Sequence, residues 1–232
     1  MNVEKIYLLQ DKILQVLGKL NIPFVFSGST PLSRAFFNHR NSFDLQFFSE
    51  KGELDYNFLN KILKELESDF DINSKNETKK YTFPQPVDTY RAKVFDKEDT
   101  KKENPVEIEF LQDLFNGKFN TVNLDFGIKL EELEGIYFRK LIDFFNNPKG
   151  VGTVLDILVM DEEYPLEDFF KEFQGIIEEK GFKIEQNQLY GKIKIFKEEL
   201  EKDIIKIDKE LKFLGSVIDV HHLRKWINSK TA

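Results

Sequence analysis

No cysteine occurs in this 232-residue chain. That excludes disulfides and every metal site built on thiolates. Also missing is any apolar run of the length that a membrane-spanning helix needs. The opening MNVEKIYLLQDK carries no apolar signal-peptide region. A bacterial-type cytoplasmic protein with no membrane partner is the expectation. Excess positive charge is lacking as well: 34 Lys and Arg against 41 Asp and Glu leave a net charge of −7. A chain of that sign is a poor candidate for coating nucleic acid by charge alone. The local basic cluster His221, His222, Arg224, Lys225 and Lys230 is expected to offset the macrodipole at a C-terminal helix end.

What is abundant is phenylalanine, with 24 copies, so the cores should be rich in aromatic rings. Hydrophobic residues at 41% and charged residues at 32% suit a chain that folds and stays in solution. The length leaves room for one large domain or two ordinary ones.

Val3, Ile6, Leu9, Ile13, Val16 and Leu20 step by three and four, the mark of one apolar helix face. Ile22 to Phe26 is short, apolar and aromatic and runs into Ser27-Gly28-Ser29, which predicts a buried strand stopped by a turn. Thr30 to Phe37 predicts a short helix with Pro31 in its first turn. In the next segment Phe43, Leu45 and Phe47 alternate with Asp44, Gln46 and Phe48, a second strand with a polar face. A helix is expected over 54–69. Strands are expected over 89–95 and 105–111, joined by the charged loop Asp96 to Asn104. From about residue 129 the pattern is helical only: 129–145, 151–160, a helix from Tyr164-Pro165 to Gly181, and most of 189–228. The fold expected is α+β. A small mixed sheet flanked by helices would fill 1–147, and a helical bundle 148–232.

A strand that ends in Gly28-Ser29 and feeds a helix presents backbone N–H groups and a hydroxyl to an anion. The glycine lets a phosphate come close to the main chain. Taken alone, such a dipeptide is most often only a turn. Asp44 strengthens the case, because a carboxylate in the middle of an aromatic strand needs a partner or a cleft. Glu107 and Glu109 follow the same alternation on a third strand, and either face solvent on the hairpin or converge with Asp44. Carboxylates converging beside a phosphate cradle would suit Mg²⁺.

The run Gly28-Ser29-Thr30-Pro31-Leu32, followed by His39-Arg40-Asn41-Ser42-Phe43-Asp44-Leu45-Gln46-Phe47-Phe48, resembles the AbiEii-type toxin family of nucleotidyltransferases. That family reads Gly-Gly/Ser-Thr-x-Leu, then His-Arg-x-Ser-x-Asp-hydrophobic-Asp. Weaker similarity continues through Val106 to Phe110 and through Arg139-Lys140-Leu141. The resemblance implies a minimal nucleotidyltransferase fold of the DNA polymerase β type. Such a protein moves a nucleoside monophosphate from a nucleoside triphosphate to a hydroxyl on RNA or protein, and can be the toxin half of a toxin–antitoxin or abortive-infection system with a cognate antitoxin as partner.

By that resemblance Gly28, Ser29 and Thr30 hold the triphosphate and Asp44 binds Mg²⁺ or Mn²⁺. Glu109 stands where the family has its third carboxylate, the helper that deprotonates the acceptor. Lys140 either contacts phosphate or is an ordinary surface lysine. Arg40 either braces the loop carrying Asp44 or touches nucleotide. The chain departs from the pattern at Gln46, where the family has a second aspartate, and at Gly152 to Asp156, which keeps only the last acid of an Arg/Lys-Asp-x-x-Asp element. An amide coordinates Mg²⁺ far more weakly than a carboxylate, so Gln46 is at most a neutral metal ligand. A degenerate module that binds nucleotide or RNA without chemistry is the alternative reading.

Overall fold

The computed structural model describes residues 2–77 and 81–231. The chain forms two compact units, and neither is one continuous stretch. The first is Met1–Leu32, Ser42–Lys80 and Pro86–Ile136; the second is Ser33–Asn41, Tyr81–Gln85 and Tyr137–Ala232. The expected division at 147/148 follows the order of the sequence, whereas the compact units exchange segments. Among the described residues, no helix is long and apolar enough to cross a membrane.

In the first unit α1 (Val3–Lys19) is capped by Asn2, whose side chain accepts the Lys5 N–H. There follow β1 (Phe24–Ser27), a one-turn α2 (Ser29–Pro31) and β2 (Asp44–Ser49). Next come α3 (Tyr56–Asp69), β3 (Phe70–Glu77), β4 (Thr89–Asp96) and β5 (Val106–Leu111), then β6 (Thr121–Asn123) and β7 (Lys129–Glu131). Among the described residues the strands make one seven-stranded sheet in the order β3-β4-β5-β2-β1-β7-β6. It is mixed: β2 runs parallel to β5 and β1 parallel to β7, and the other neighbours are antiparallel.

Alternation sorts the sheet into two faces. One carries Phe24, Phe26, Leu45, Phe47, Tyr90, Ala92, Ile108 and Phe110, and packs with Ile6, Leu9, Ile13 and Leu17 of α1 and Leu59, Ile62 and Leu66 of α3. Phenylalanine fills it edge to face and stacked: Phe24 to Phe110 at 5.0 Å, Phe26 to Phe47 at 5.3 Å and Phe47 to Phe110 at 5.5 Å between centroids. Ring pairs of this kind add about 0.5–1.5 kcal/mol each beyond the area they bury. The other face carries the polar residues of the candidate site beside the buried Phe48 and Leu111.

Three strands were not expected. The pairing of Lys129–Glu131 with β1 makes that segment a strand, and α4 (Leu133–Asn146) begins after it, not at Lys129. The second unit takes the rest of α4 from Tyr137, then α5 (Val151–Glu163), α6 (Leu166–Glu179), α7 (Gln186–Lys202), α8 (Ile204–Phe213) and α9 (Val220–Lys230). Its early segments are tied in by hydrogen bonds. Asn41 N–H donates to the Leu214 carbonyl (2.7 Å), Val217 N–H to the His39 carbonyl (3.0 Å), and the Tyr81 hydroxyl to Asp143 (2.6 Å). The C-terminal basic cluster needs a correction. Asp219 caps α9 by accepting the His222 N–H, so His221 and His222 stand in its first turn, away from the C-terminal dipole end. Lys230 alone of the five is in the last turn, where it also pairs with Asp161 and Glu167 at 2.9 Å.

Candidate active site

The site in the first unit begins at the turn after β1. Gly28 has φ 88° and ψ −154°, a conformation left almost entirely to glycine. A Cβ added there would lie 2.3 Å from Gln46 Oε1, so the Gln46 amide rests directly on this turn. Gly28→Ala is expected to cost about 1–3 kcal/mol of stability, read from urea unfolding; an unchanged midpoint would show that the turn relaxes freely. The helix that follows differs from expectation. A three-residue α-turn gives way to a π-helical segment, Leu32–Phe37, so little aligned macrodipole backs an anion here. Of the expected cradle, the backbone of the turn and the half-buried Ser29 remain.

Thr30 links the turn to the acid. Its hydroxyl donates to the Asp44 carbonyl oxygen, which can only accept, and lies 2.8 Å from Ser42 Oγ; the Ser42 hydroxyl donates to Asp44 Oδ1 (3.1 Å). Gln10 Nε2 donates to the Ser42 carbonyl (3.0 Å) from α1. Thr30 is almost fully buried, so its hydroxyl serves this strut and is not offered to a triphosphate.

Strand register builds the rest. Ser27 opposes Gln46, Gln46 opposes Glu109, and Glu109 opposes Arg91, so β1, β2, β5 and β4 place four polar side chains in one row on one face. Asp44, Glu107 and Lys93 form a second row beside it. Gln46 Nε2 donates to Glu109 Oε2 at 2.8 Å, and Arg91 Nε lies 2.7 Å from Glu109 Oε1 as an ion pair. Glu107 is half exposed, 4.0 Å from the same Arg91 nitrogen. Asp44, Gln46, Glu107 and Glu109 stand on the one sheet face that their alternation predicts, and Gly28 lies against Gln46.

Two participants went unrecognised in the sequence. Arg91 was readable by alternation within 89–95, as the residue sharing Glu109's face. Glu131 was hidden by the helical reading of its segment. It is buried, accepts the Ser27 hydroxyl at 2.5 Å, and fills space that a side chain on Gly135 would need, with its Cγ 2.5 Å from an added Cβ.

Do these residues fit the Mg²⁺ that the resemblance implies? Among the described residues, no group of three or more His, Cys, Asp or Glu is arranged to hold a metal ion. Asp44 is half-buried, a single acid to which water and phosphate oxygens would have to add for one divalent cation to be held. A second ion does not fit. The residue that would bridge two ions is the neutral Gln46, and Glu109 is engaged by the Gln46 amide on Oε2 and by the Arg91 charge beside Oε1.

Arg40 and Lys140 lie in the second unit, around Asp156. Arg40 Nε and the Asp156 Oδ1 are 2.7 Å apart, Arg40 Nη2 and Oδ2 2.8 Å, His39 Nε2 and Oδ1 2.8 Å, and Lys140 Nζ and Oδ2 3.2 Å. Lys140 is 2% exposed and Asp156 0%, so Lys140 is no surface lysine. Burial alone would push the Asp156 carboxyl up. The charges of Arg40 and Lys140, with hydrogen bonds from His39 and Arg40, outweigh it and hold that carboxyl well below the usual carboxylate range. The geometry ties both cations to this buried acid.

These features define an α+β protein with a glycine turn and an acid-bearing strand on the polar face of a mixed sheet. No family model matches the sequence, and no curated protein matches it. Solved structures do share the fold. JHP933 from Helicobacter pylori superposes with a TM-score of 0.61 at 16% identity, over 99% of this chain and 91% of that one. A second H. pylori protein, provisionally named a nucleotidyltransferase, gives 0.55 at 17% identity, over 99% and 93%. The likeness is one of fold, and it does not single out the AbiEii-type family.

Proposed function

We propose that this chain is a nucleotidyltransferase-like protein that takes a nucleoside triphosphate on the Gly28–Ser29 turn and passes the nucleoside monophosphate to a hydroxyl on RNA or protein. The observation that carries this reading is the Thr30–Ser42–Asp44 relay, which fixes the phosphate-facing turn to the strand bearing the acid. The shared fold with a protein named as a nucleotidyltransferase supports it, as does the resemblance of the Gly28 to Phe48 run to the AbiEii-type toxins. A toxin role, with a cognate antitoxin as partner, follows from that resemblance.

In this reading the acceptor oxygen forms a bond to the α-phosphorus as the bond to the bridging oxygen breaks, and pyrophosphate leaves. The acceptor proton passes to the Asp44 carboxylate or to water. One Mg²⁺ at Asp44 would neutralise phosphate charge. Gln46 shapes the floor of the turn, with its amide oxygen against Gly28 and its nitrogen on Glu109. Glu109, with the Gln46 amide on Oε2 and the Arg91 charge beside Oε1, acts in this reading as a positioned group.

Incubation with α-labelled triphosphates, Mg²⁺ or Mn²⁺, and cellular RNA or protein tests the reading. Label should pass to an acceptor and cease with Asp44→Ala; transfer that survives the substitution removes it. The Gln46–Glu109–Arg91 network favours a second reading, nucleotide binding without transfer. Saturable binding of triphosphate with no labelled acceptor would select that one.

A further inference from the structure

We infer that Arg91 takes the place of a second metal ion, so that the site holds one divalent cation, at Asp44, and carries its other positive charge on the protein. The inference rests on the nucleotidyltransferase reading for what the site does, though not for what occupies it. A two-ion centre needs carboxylates shared between the ions. Here the shared position is Gln46, and its Nε2 points a donor at Glu109, into the space where a metal would need an acceptor. On the other side of Glu109 stands Arg91, 2.7 Å from Oε1, with Glu107 within 4.0 Å of the same nitrogen. The Arg91 charge thus lies beside Glu109, with Glu107 at the outer limit of ion-pair distance.

Register makes this placement robust. Arg91 opposes Glu109 directly in the antiparallel β4–β5 ladder, so the two side chains stand on the same face whatever rotamers they adopt. The charges also match. Replacing an acid by an amide at 46 removes a negative charge from the row, and an arginine at 91 satisfies the carboxylate left behind. Unlike a metal, a guanidinium cannot be chelated, and it keeps its charge at every working pH.

Titration with Mn²⁺ alone, followed by electron paramagnetic resonance, tests the assignment. The wild type should bind a single ion weakly. Gln46→Asp combined with Arg91→Met should bind a second ion and hold metal about tenfold more tightly, the scale on which groups around a metal set its affinity. Gln46→Asp alone should gain much less, because Arg91 still engages Glu109. Circular dichroism and thermal unfolding verify the fold, and Gln46→Glu with Arg91→Gln supplies a second pair should the first not fold. Two ions on the wild type, or a folded double variant with the wild-type count, would overturn the inference. Since no nucleotide is present, failure to bind or transfer nucleotide would remove the proposed function and leave this result unaffected.

Discussion

Asp156→Ala is expected to lower the melting temperature by roughly 10 °C or more, following a loss of about 3–5 kcal/mol for breaking a buried charge cluster. The carboxylate is fully buried and faces Arg40, Lys140 and His39 at 2.7–3.2 Å. Its removal leaves two nearly inaccessible cations, with Asp143 at 3.5 Å from Lys140 as a more distant counter-charge. Stranded charge, more than a lost attraction, makes the penalty large. The companion variant Arg40→Met, Lys140→Met, Asp156→Leu removes all three charges and should recover most of the loss. A drop below about 3 °C for Asp156→Ala would show that water reaches the cluster.

The same acid sets a pH dependence. Its folded form is held ionised far below the ordinary carboxylate range. As pH falls through about 4, the unfolded chain takes up a proton that the folded chain refuses, so stability declines with acidification. This contribution is fully present above that range. A pH series of urea midpoints should therefore fall below about pH 4 in the wild type, and fall less in the triple variant.

Asp44→Ala should reduce transfer by about a hundredfold or more while leaving the melting temperature nearly unchanged. The two effects separate because the residue plays two parts. Its carboxylate receives the Ser42 hydroxyl at the half-buried edge of the sheet, while its main-chain carbonyl receives Thr30. Substitution removes the first and spares the second. Label transfer measured beside calorimetry makes the comparison; equal losses in both would show that Asp44 is a structural acid.

The sheet core and the Asp44 strand were legible because their alternation holds along most of each strand. Phe43, Leu45 and Phe47 against Asp44 and Gln46, and Val106, Ile108 and Phe110 against Glu107 and Glu109, place each side chain on its observed face. Phe70–Glu77 was not legible. Asp71-Ile72-Asn73-Ser74-Lys75-Asn76 is mostly polar and low in β propensity, and it becomes a strand at the sheet edge by pairing with β4. Lys129–Glu131 is too short for periodicity and owes its conformation to β1. The partners of Arg40 and Lys140 were hidden for another reason: Asp156 is 116 residues from Arg40, and no local pattern reports that pairing. Gln46 was visible as an oddity in the sequence, but its contacts with Gly28 and Glu109 were not.

The interleaving of the two compact units has an evolutionary consequence. Ser33–Asn41 and Tyr81–Gln85 leave the first unit's chain to complete the second, and His39 and Arg40 meet Asp156 only there. No single crossover point in the gene could exchange one unit for a foreign counterpart without stranding part of the other.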